Sequence, residues 1–213
     1  MKNRYTIEKG IEGNFQKGSN QLVLANKLNI TSKQEMDDVE LSLLKLLYTE
    51  VYSSVSINQI ITTRDICQWH KKWLGNVYQW AGNFRNVNMS KNNFHFALSR
   101  QIPYLMNQLD EKFLTKLTAC NAMKIDNLIN SLAVVHIEFI LIHPFREGNG
   151  RIARLLANVM ALQANLPELD FSYFDKNKGD YFKANQIGLS GNYEPLKSLF
   201  KQVLHDSEKN YSS

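Results

Sequence analysis

An all-α fold with one short β-hairpin is what this sequence predicts, and three observations carry the expectation. Its 213 residues include only 10 Gly and 4 Pro, too few for the many tight turns of an all-β chain of this size. Apolar residues recur at three- and four-residue spacings along most of the chain, which is the helical period. One segment, residues 85–97, alternates with a period of two instead. The length fits one compact domain or one domain with an extension. A hydrophobic fraction of 44% and a charged fraction of 21% exclude disordered, collagen-like and low-complexity classes.

Residues 1–30 are expected as an N-terminal extension, with Gly13, Gly18, Ser19 and Asn20 reading as loop, and residues 31–213 as the domain proper. Thr31 or Ser32 caps the first helix, with Glu35 in capping-box spacing to Ser32. Leu41, Leu43, Leu44, Leu46 and Leu47 supply its apolar face. Thr62 and Thr63 precede a second helix over residues 64–78, whose stripe is Ile66, Trp69, Trp73, Val77 and Trp80, and Gly82–Asn83 is the expected stop. Val87 and Met89 then alternate with Asn86, Asn88 and Ser90. Asn92–Asn93 offers a turn, and Phe94 and Phe96 flank His95, so a short hairpin is predicted. Further helices are expected at about 98–118, 124–143, 151–164, 180–187 and 195–205, with Pro144 and Pro167 as breaks.

Two cysteines, Cys67 and Cys120, cannot build a disulfide scaffold or a four-thiolate zinc site. They are expected to be reduced core residues of an intracellular protein. The start of the chain is of mixed charge without an apolar core, unlike a secretory signal. The longest apolar run, residues 132–142, is interrupted by His136 and Glu138 and is too short to span a bilayer. A soluble, cytoplasmic protein without a membrane partner is expected, and export as an effector is compatible with the same residues. The net charge of +5 is local: residues 51–100 hold 6 basic and 1 acidic side chains, which suggests an anionic partner near that segment.

The chemistry is concentrated in residues 143–154, His-Pro-Phe-Arg-Glu-Gly-Asn-Gly-Arg-Ile-Ala-Arg, between two apolar helices. Gly148 and Gly150 flank Asn149 and allow backbone conformations that a side chain forbids. The loop runs into a helix N-terminus, where free N–H groups and the dipole favour an anion. Arg151 and Arg154 project from one side of the first turn, and guanidinium groups clamp phosphate oxygens. Glu147 beside a polyphosphate would repel it unless a divalent cation lies between them, and Mg2+ takes one or two carboxylates plus phosphate oxygens. His143, an imidazole at the mouth of this loop, has the chemistry of a general base. Phe145 anchors the loop to the core. A metal hydrolase fits less well, because His136, Glu138, His143 and Glu147 lack His-Glu-x-x-His spacing. A sequence-specific DNA reader also fits less well, because the helix after the loop has few exposed polar residues, so no nucleic-acid partner is expected.

These twelve residues match the signature of the Fic family, His-x-Phe-x-(Asp/Glu)-Gly-Asn-Gly-Arg-x-x-Arg, and on them the chain is identified as resembling that family. Residues 77–85, Val-Tyr-Gln-Trp-Ala-Gly-Asn-Phe-Arg, resemble the stretch before the family's flap. Residues 191–196, Gly-Asn-Tyr-Glu-Pro-Leu, resemble its closing stretch. Residues 12–50 and the overall length are similar to the subgroup called mobile mystery protein B. The resemblance implies an α-helical fold and transfer of AMP from ATP to a Ser, Thr or Tyr hydroxyl of a target protein, with release of pyrophosphate. It implies that His143 is the base, that Glu147 holds Mg2+, and that Gly148, Asn149 and Gly150 form the anion hole. Arg151 and Arg154 are implied to bind the outer phosphates. The flap, Asn86, Val87, Asn88, Met89 and Ser90 with the strand that follows, is implied to pair with the target's backbone by strand addition. Tyr181 and Asn185 sit where relatives line the adenine.

Many relatives carry an inhibitory glutamate in the pattern (Ser/Thr)-x-x-x-Glu-(Gly/Asn), which pairs with the second motif arginine, here Arg154. Glu12 is the strongest candidate, although Glu8 stands where Ser or Thr belongs. Thr31 with Glu35 and Ser190 with Glu194 have the spacing but not the following residue. An antitoxin-like chain, a homodimer or an uninhibited enzyme are the other arrangements. Phosphorylation, as in the Doc branch, is disfavoured because that branch has Lys where this chain has Gly150. Transfer of another nucleotide or of phosphocholine, removal of AMP, and a non-catalytic binding module are the remaining readings.

Overall fold

The structure, a computed structural model, describes residues 6–7 and 11–211; the expectations placed on Glu8 and most of the first thirteen residues lie outside these. The fold is helical with one small sheet, as predicted. Helix α1, Lys33–Ser54, starts where Ser32 Oγ accepts the N–H of Glu35 at 3.3 Å, a contact worth about 1 kcal/mol. Its buried face is Met36, Glu40, Leu47 and Val51, and Leu41 and Leu46 of the expected leucine face are exposed instead. Helix α2, Thr63–Leu74, opens on a reciprocal capping box between Thr62 and Asp65.

Helix α2 ends at Gly75, well short of the expected stop at Gly82. The apolar spacing of Trp73, Val77 and Trp80 is helical in period, but the Val77 carbonyl accepts the N–H of Lys27 at 2.8 Å. Val77 and Tyr78 are therefore buried as a turn-bound segment. Val23 and Ile30 join the same core, so the arm before α1 is packed on the helices. Helix α3, Ile102–Leu109, follows a short 3₁₀ turn and continues through a π-turn at Asp110–Leu114 into α4, Thr115–Leu117.

Helix α5, Ile125–Ile142, is the centre of the molecule and packs against α6, Asn149–Gln163, and α9, Glu194–Tyr211. By length and composition alone α5 is apolar enough to cross a membrane, which the interrupted run 132–142 did not suggest, and 67% of it is buried inside the protein. Helix α6 begins two residues earlier than expected, with Gly148 as its cap. Helix α7, Ser172–Lys176, was not anticipated, and α8, Lys178–Ile187, follows it. Cys120 is buried and Cys67 half-buried, both free, and burial pushes their thiols up to about 12 and about 11.

The predicted hairpin is present: β2, Met89–Lys91, pairs antiparallel with β3, Phe94–His95. Asn92 and Asn93 turn the chain with φ of 49° and 62°, the left-handed pair that a two-residue hairpin turn requires. A third strand, β1, Thr6–Ile7, lies on the other edge of β2. Two residues of strand carry no period-two signal, so sequence reading had no means of finding it.

Candidate active site

His143 closes α5 in the left-handed conformation, φ 53° and ψ 57°, and Pro144 prevents the helix from continuing. Its Nδ1 lies 3.2 Å from the Ile140 carbonyl. A carbonyl only accepts, so Nδ1 carries the proton and Nε2 of the neutral ring is the basic nitrogen. The ring stacks on Phe96 with centroids 3.8 Å apart. Phe96 belongs to the chain leaving the hairpin, so the flap itself fixes the plane of the imidazole.

Arg85 ties these parts together. It is 2% exposed, and its guanidinium donates to the carbonyls of His143 at 2.7 Å, Val87 at 2.6 Å and Ala97 at 2.6 Å. Burial lowers its pKa to about 10. Arg85, one of the six basic residues of the 51–100 block, therefore adds nothing to a basic surface: its charge is enclosed by carbonyl dipoles and holds the flap to the loop. Lys91 stays on the flap surface, over the Phe182 ring at 5.7 Å.

The loop between α5 and α6 is braced from inside. Phe145 is fully buried and stacks flat on His70, 3.9 Å between centroids. His70 Nδ1 accepts the Gly82 N–H at 2.8 Å, so its Nε2–H donates to the Glu147 carbonyl at 3.1 Å. Asn149 is 1% exposed, and its amide spans both backbone groups of Phe145, accepting the N–H at 2.9 Å and donating to the carbonyl at 2.8 Å. The Asn149 side chain is thus spent on closing the loop, and only its backbone N–H is left for an anion. Burial lowers His70 and His136 to about 3. Between that value and the unfolded value near 6.5 the unfolded chain binds two more protons than the native one. Stability is full above pH 6.5 and is expected to fall with acidification by up to about 1.4 kcal/mol per pH unit for each imidazole. Denaturant midpoints measured from pH 7 to pH 5 check this slope.

The first i to i−4 bond of α6 runs from the Ile152 N–H to the Gly148 carbonyl at 3.0 Å. The N–H groups of Asn149, Gly150 and Arg151 therefore point out of the helix start with no intrahelical acceptor. Gly150 is exposed, and a side chain there would meet none of the described residues within 4 Å. Glu147 leans over the helix start, with Oε1 accepting the Gly148 N–H at 3.1 Å. Among the described residues no group of three or more His, Cys, Asp or Glu could hold a metal ion, so a cation here would rest on Glu147 and on ligand oxygens.

The two arginines have carboxylate partners that sequence reading missed. Arg151 bonds Glu40 at 2.7 Å, lies 3.7 Å from Glu147, and covers the Trp73 ring at 4.4 Å. Glu40 is 5% exposed and also accepts the Tyr78 hydroxyl at 2.7 Å. Arg154 is held by Asp175 through two bonds of 3.0 and 2.8 Å, and that guanidinium holds the Asp175 carboxyl below the usual range. Glu40, Asp175 and His70 lie 111, 21 and 77 residues from their partners, and no local pattern marks such pairs.

Glu12 is turned elsewhere. Its carboxylate accepts the Asn86 N–H at 3.1 Å, and its carbonyl accepts Arg146 Nε at 2.8 Å. Desolvation raises its pKa despite these donors. The expected pairing of Glu12 with Arg154 is thus corrected, because the arm before α1 runs along the flap and Asp175 occupies Arg154. Tyr181 is half-buried on α8, with its hydroxyl 2.7 Å from His136 Nε2 and its ring stacked on Phe174 at 4.8 Å. Asn185 is 4% exposed and donates to the Tyr181 carbonyl. Asn185 is the enclosed member of the pair, and Tyr181 the half-buried one.

A family model described as the Fic/DOC family matches residues 60–161. The chain is 24% identical over 190 residues to the probable protein adenylyltransferase Fic of Escherichia coli K12, across 87% of this chain and 89% of that one. It is 26% identical over 182 residues to the protein adenylyltransferase VbhT of Bartonella schoenbuchensis, across 85% of this chain but 37% of that relative. It spans 43% of the protein adenylyltransferase Fic of Nematostella vectensis, at 26% identity. Among solved structures, the BepC effector of Bartonella tribocorum with bound AMPPNP superposes with a TM-score of 0.71, at 20% identity, over 90% of this chain and 96% of that one. The Fic domain of the Bep8 effector from Bartonella sp. 1-1C gives 0.71, at 20% identity, over 85% and 90%. At these identities the structural likeness is one of fold.

Proposed function

We propose that the chain is a member of the Fic/DOC family and, from that membership, a protein adenylyltransferase. It transfers AMP from Mg-ATP to a Ser, Thr or Tyr hydroxyl of a target protein and releases pyrophosphate. The observation that carries the reading is the pairing of a basic His143 Nε2 with an exposed helix N-terminus at Gly150. The target hydroxyl gives its proton to Nε2 as its oxygen attacks the α-phosphorus, and the bond to the β-phosphate oxygen breaks. The N–H groups of Asn149, Gly150 and Arg151 face the charge that develops on the phosphates. Bound Mg2+ would offset phosphate charge, and the donor set fits it, since Glu147 is a carboxylate oxygen beside the phosphate position.

Arg151 and Arg154 meet the outer phosphates, with Arg154 exchanging Asp175 for a phosphate oxygen. Tyr181 borders the adenine, and Asn86 to Ser90 align the target's backbone. Control by an antitoxin-like chain or a second copy belongs to the same proposal, because Glu12 does not reach Arg154.

The test uses ATP labelled separately at the α and γ positions, with Mg2+ and lysate proteins as acceptors. Label entering protein from the α position alone is the expected outcome. Label from γ alone would overturn the reading in favour of a kinase.

A further inference from the structure

The outer edge of β2 is the edge at which a target strand would add, and it is already taken. Thr6 pairs with Ser90 and Ile7 with Met89 in antiparallel register. Further along, the Asn86 N–H donates to the Glu12 carboxylate, and Arg146 of the motif loop donates to the Glu12 carbonyl. Three of the five flap positions assigned to the target, Asn86, Met89 and Ser90, therefore face the chain's own N-terminal arm. A strand edge carries one row of N–H and C=O groups, so two polypeptides cannot pair with it at once.

We propose that Thr6–Ile7 and Glu12 act together as an internal strap on the flap edge, which an extended segment of the target protein must displace before its hydroxyl can be aligned. The inference rests on the adenylyltransferase reading for the identity of the displacing partner. The strap is suited to leaving. Its strand is two residues long, below the length at which strand pairing is stable by itself. Among the described residues its other anchors are the Glu12 carboxylate and carbonyl contacts. Displacement lowers the target's apparent affinity by the fraction of molecules in which the edge is open. A segment pairing with all of Asn86 to Ser90 makes more ladder bonds than the strap and wins the edge.

In an antiparallel pair alternate residues direct their N–H to the partner, so one of Thr6 and Ile7 donates to β2. The full-length double variant Thr6→Pro/Ile7→Pro removes that donor whichever residue supplies it. Hydrogen exchange of residues 86–91 should be about ten-fold faster in the variant than in the wild type, with residues 143–152 unchanged. Glu12→Ala, which keeps both strand residues, should move the same amides in the same direction by less. A synthetic peptide of residues 1–13 should bind the double variant saturably and the wild type at least about ten-fold more weakly. Equal exchange in all three proteins, or equal peptide binding by wild type and double variant, would overturn the strap. Neither measurement needs ATP. A failed strap thus leaves AMP transfer standing, and failed α-label transfer by the double variant, with its edge open, counts against the transfer reading.

Discussion

His143→Ala is expected to lower transfer from α-labelled ATP by about 10²–10⁴-fold. Nε2 is the basic nitrogen because Nδ1–H is committed to the Ile140 carbonyl. Without the imidazole the hydroxyl must attack while still protonated. The helix N-terminus and both arginines remain, so the residual rate should stay above the uncatalysed one. The loss should be one of kcat, with little change in KM for ATP. Alanine also takes a φ of 53° at a cost close to that of histidine, since both have a Cβ. Loss of the Phe96 stack should reduce Tm by only a few degrees. Retention of transfer within about ten-fold of the wild type would remove His143 from the role of base.

Gly148→Ala is expected to act through the fold. Gly148 has a φ of 86°, and a Cβ there would lie 2.5 Å from Trp73. Trp73 can retreat only at a cost, because it is 1% exposed and its indole N–H donates to the Glu40 carbonyl at 2.9 Å. Left-handed strain of about 1–2 kcal/mol and overpacking of about 1–3 kcal/mol add to a loss of about 2–5 kcal/mol. Urea unfolding should show a lower midpoint with an unchanged slope. Transfer should fall as well, because a shift of Trp73 moves the Arg151 guanidinium that lies on its ring. A midpoint equal to that of the wild type would refute the clash.

Much of the site could be read from residues 143–154 because its parts are local. A base, two glycines, a carboxylate and two arginines within one loop and one helical turn keep their relation whatever surrounds them. The same holds for the capping box at Thr62 and Asp65 and for the Asn92–Asn93 turn, where the bonded groups are near neighbours in sequence. The end of the second helix is not legible in the sequence, because periodicity reports which side chains are buried, and Val77 and Tyr78 are buried without being helical. The partners of Glu12 are not legible either, because a short pattern carries no information on where the arm before α1 runs.

By itself the sequence determined the helical class, the hairpin and the short loop that gathers a histidine, a carboxylate, two glycines and two arginines, all of which depend on residues a few positions apart. Only the tertiary structure decided what each of those groups touches. Arg85 became a buried clasp, Asn149 a loop brace, Asp175 the partner of Arg154, and the flap edge the seat of the chain's own strand. The physical reason is the same in each case. A polar group that folding takes from water must find a partner wherever the packed chain presents one, and that partner is chosen by packing across the fold.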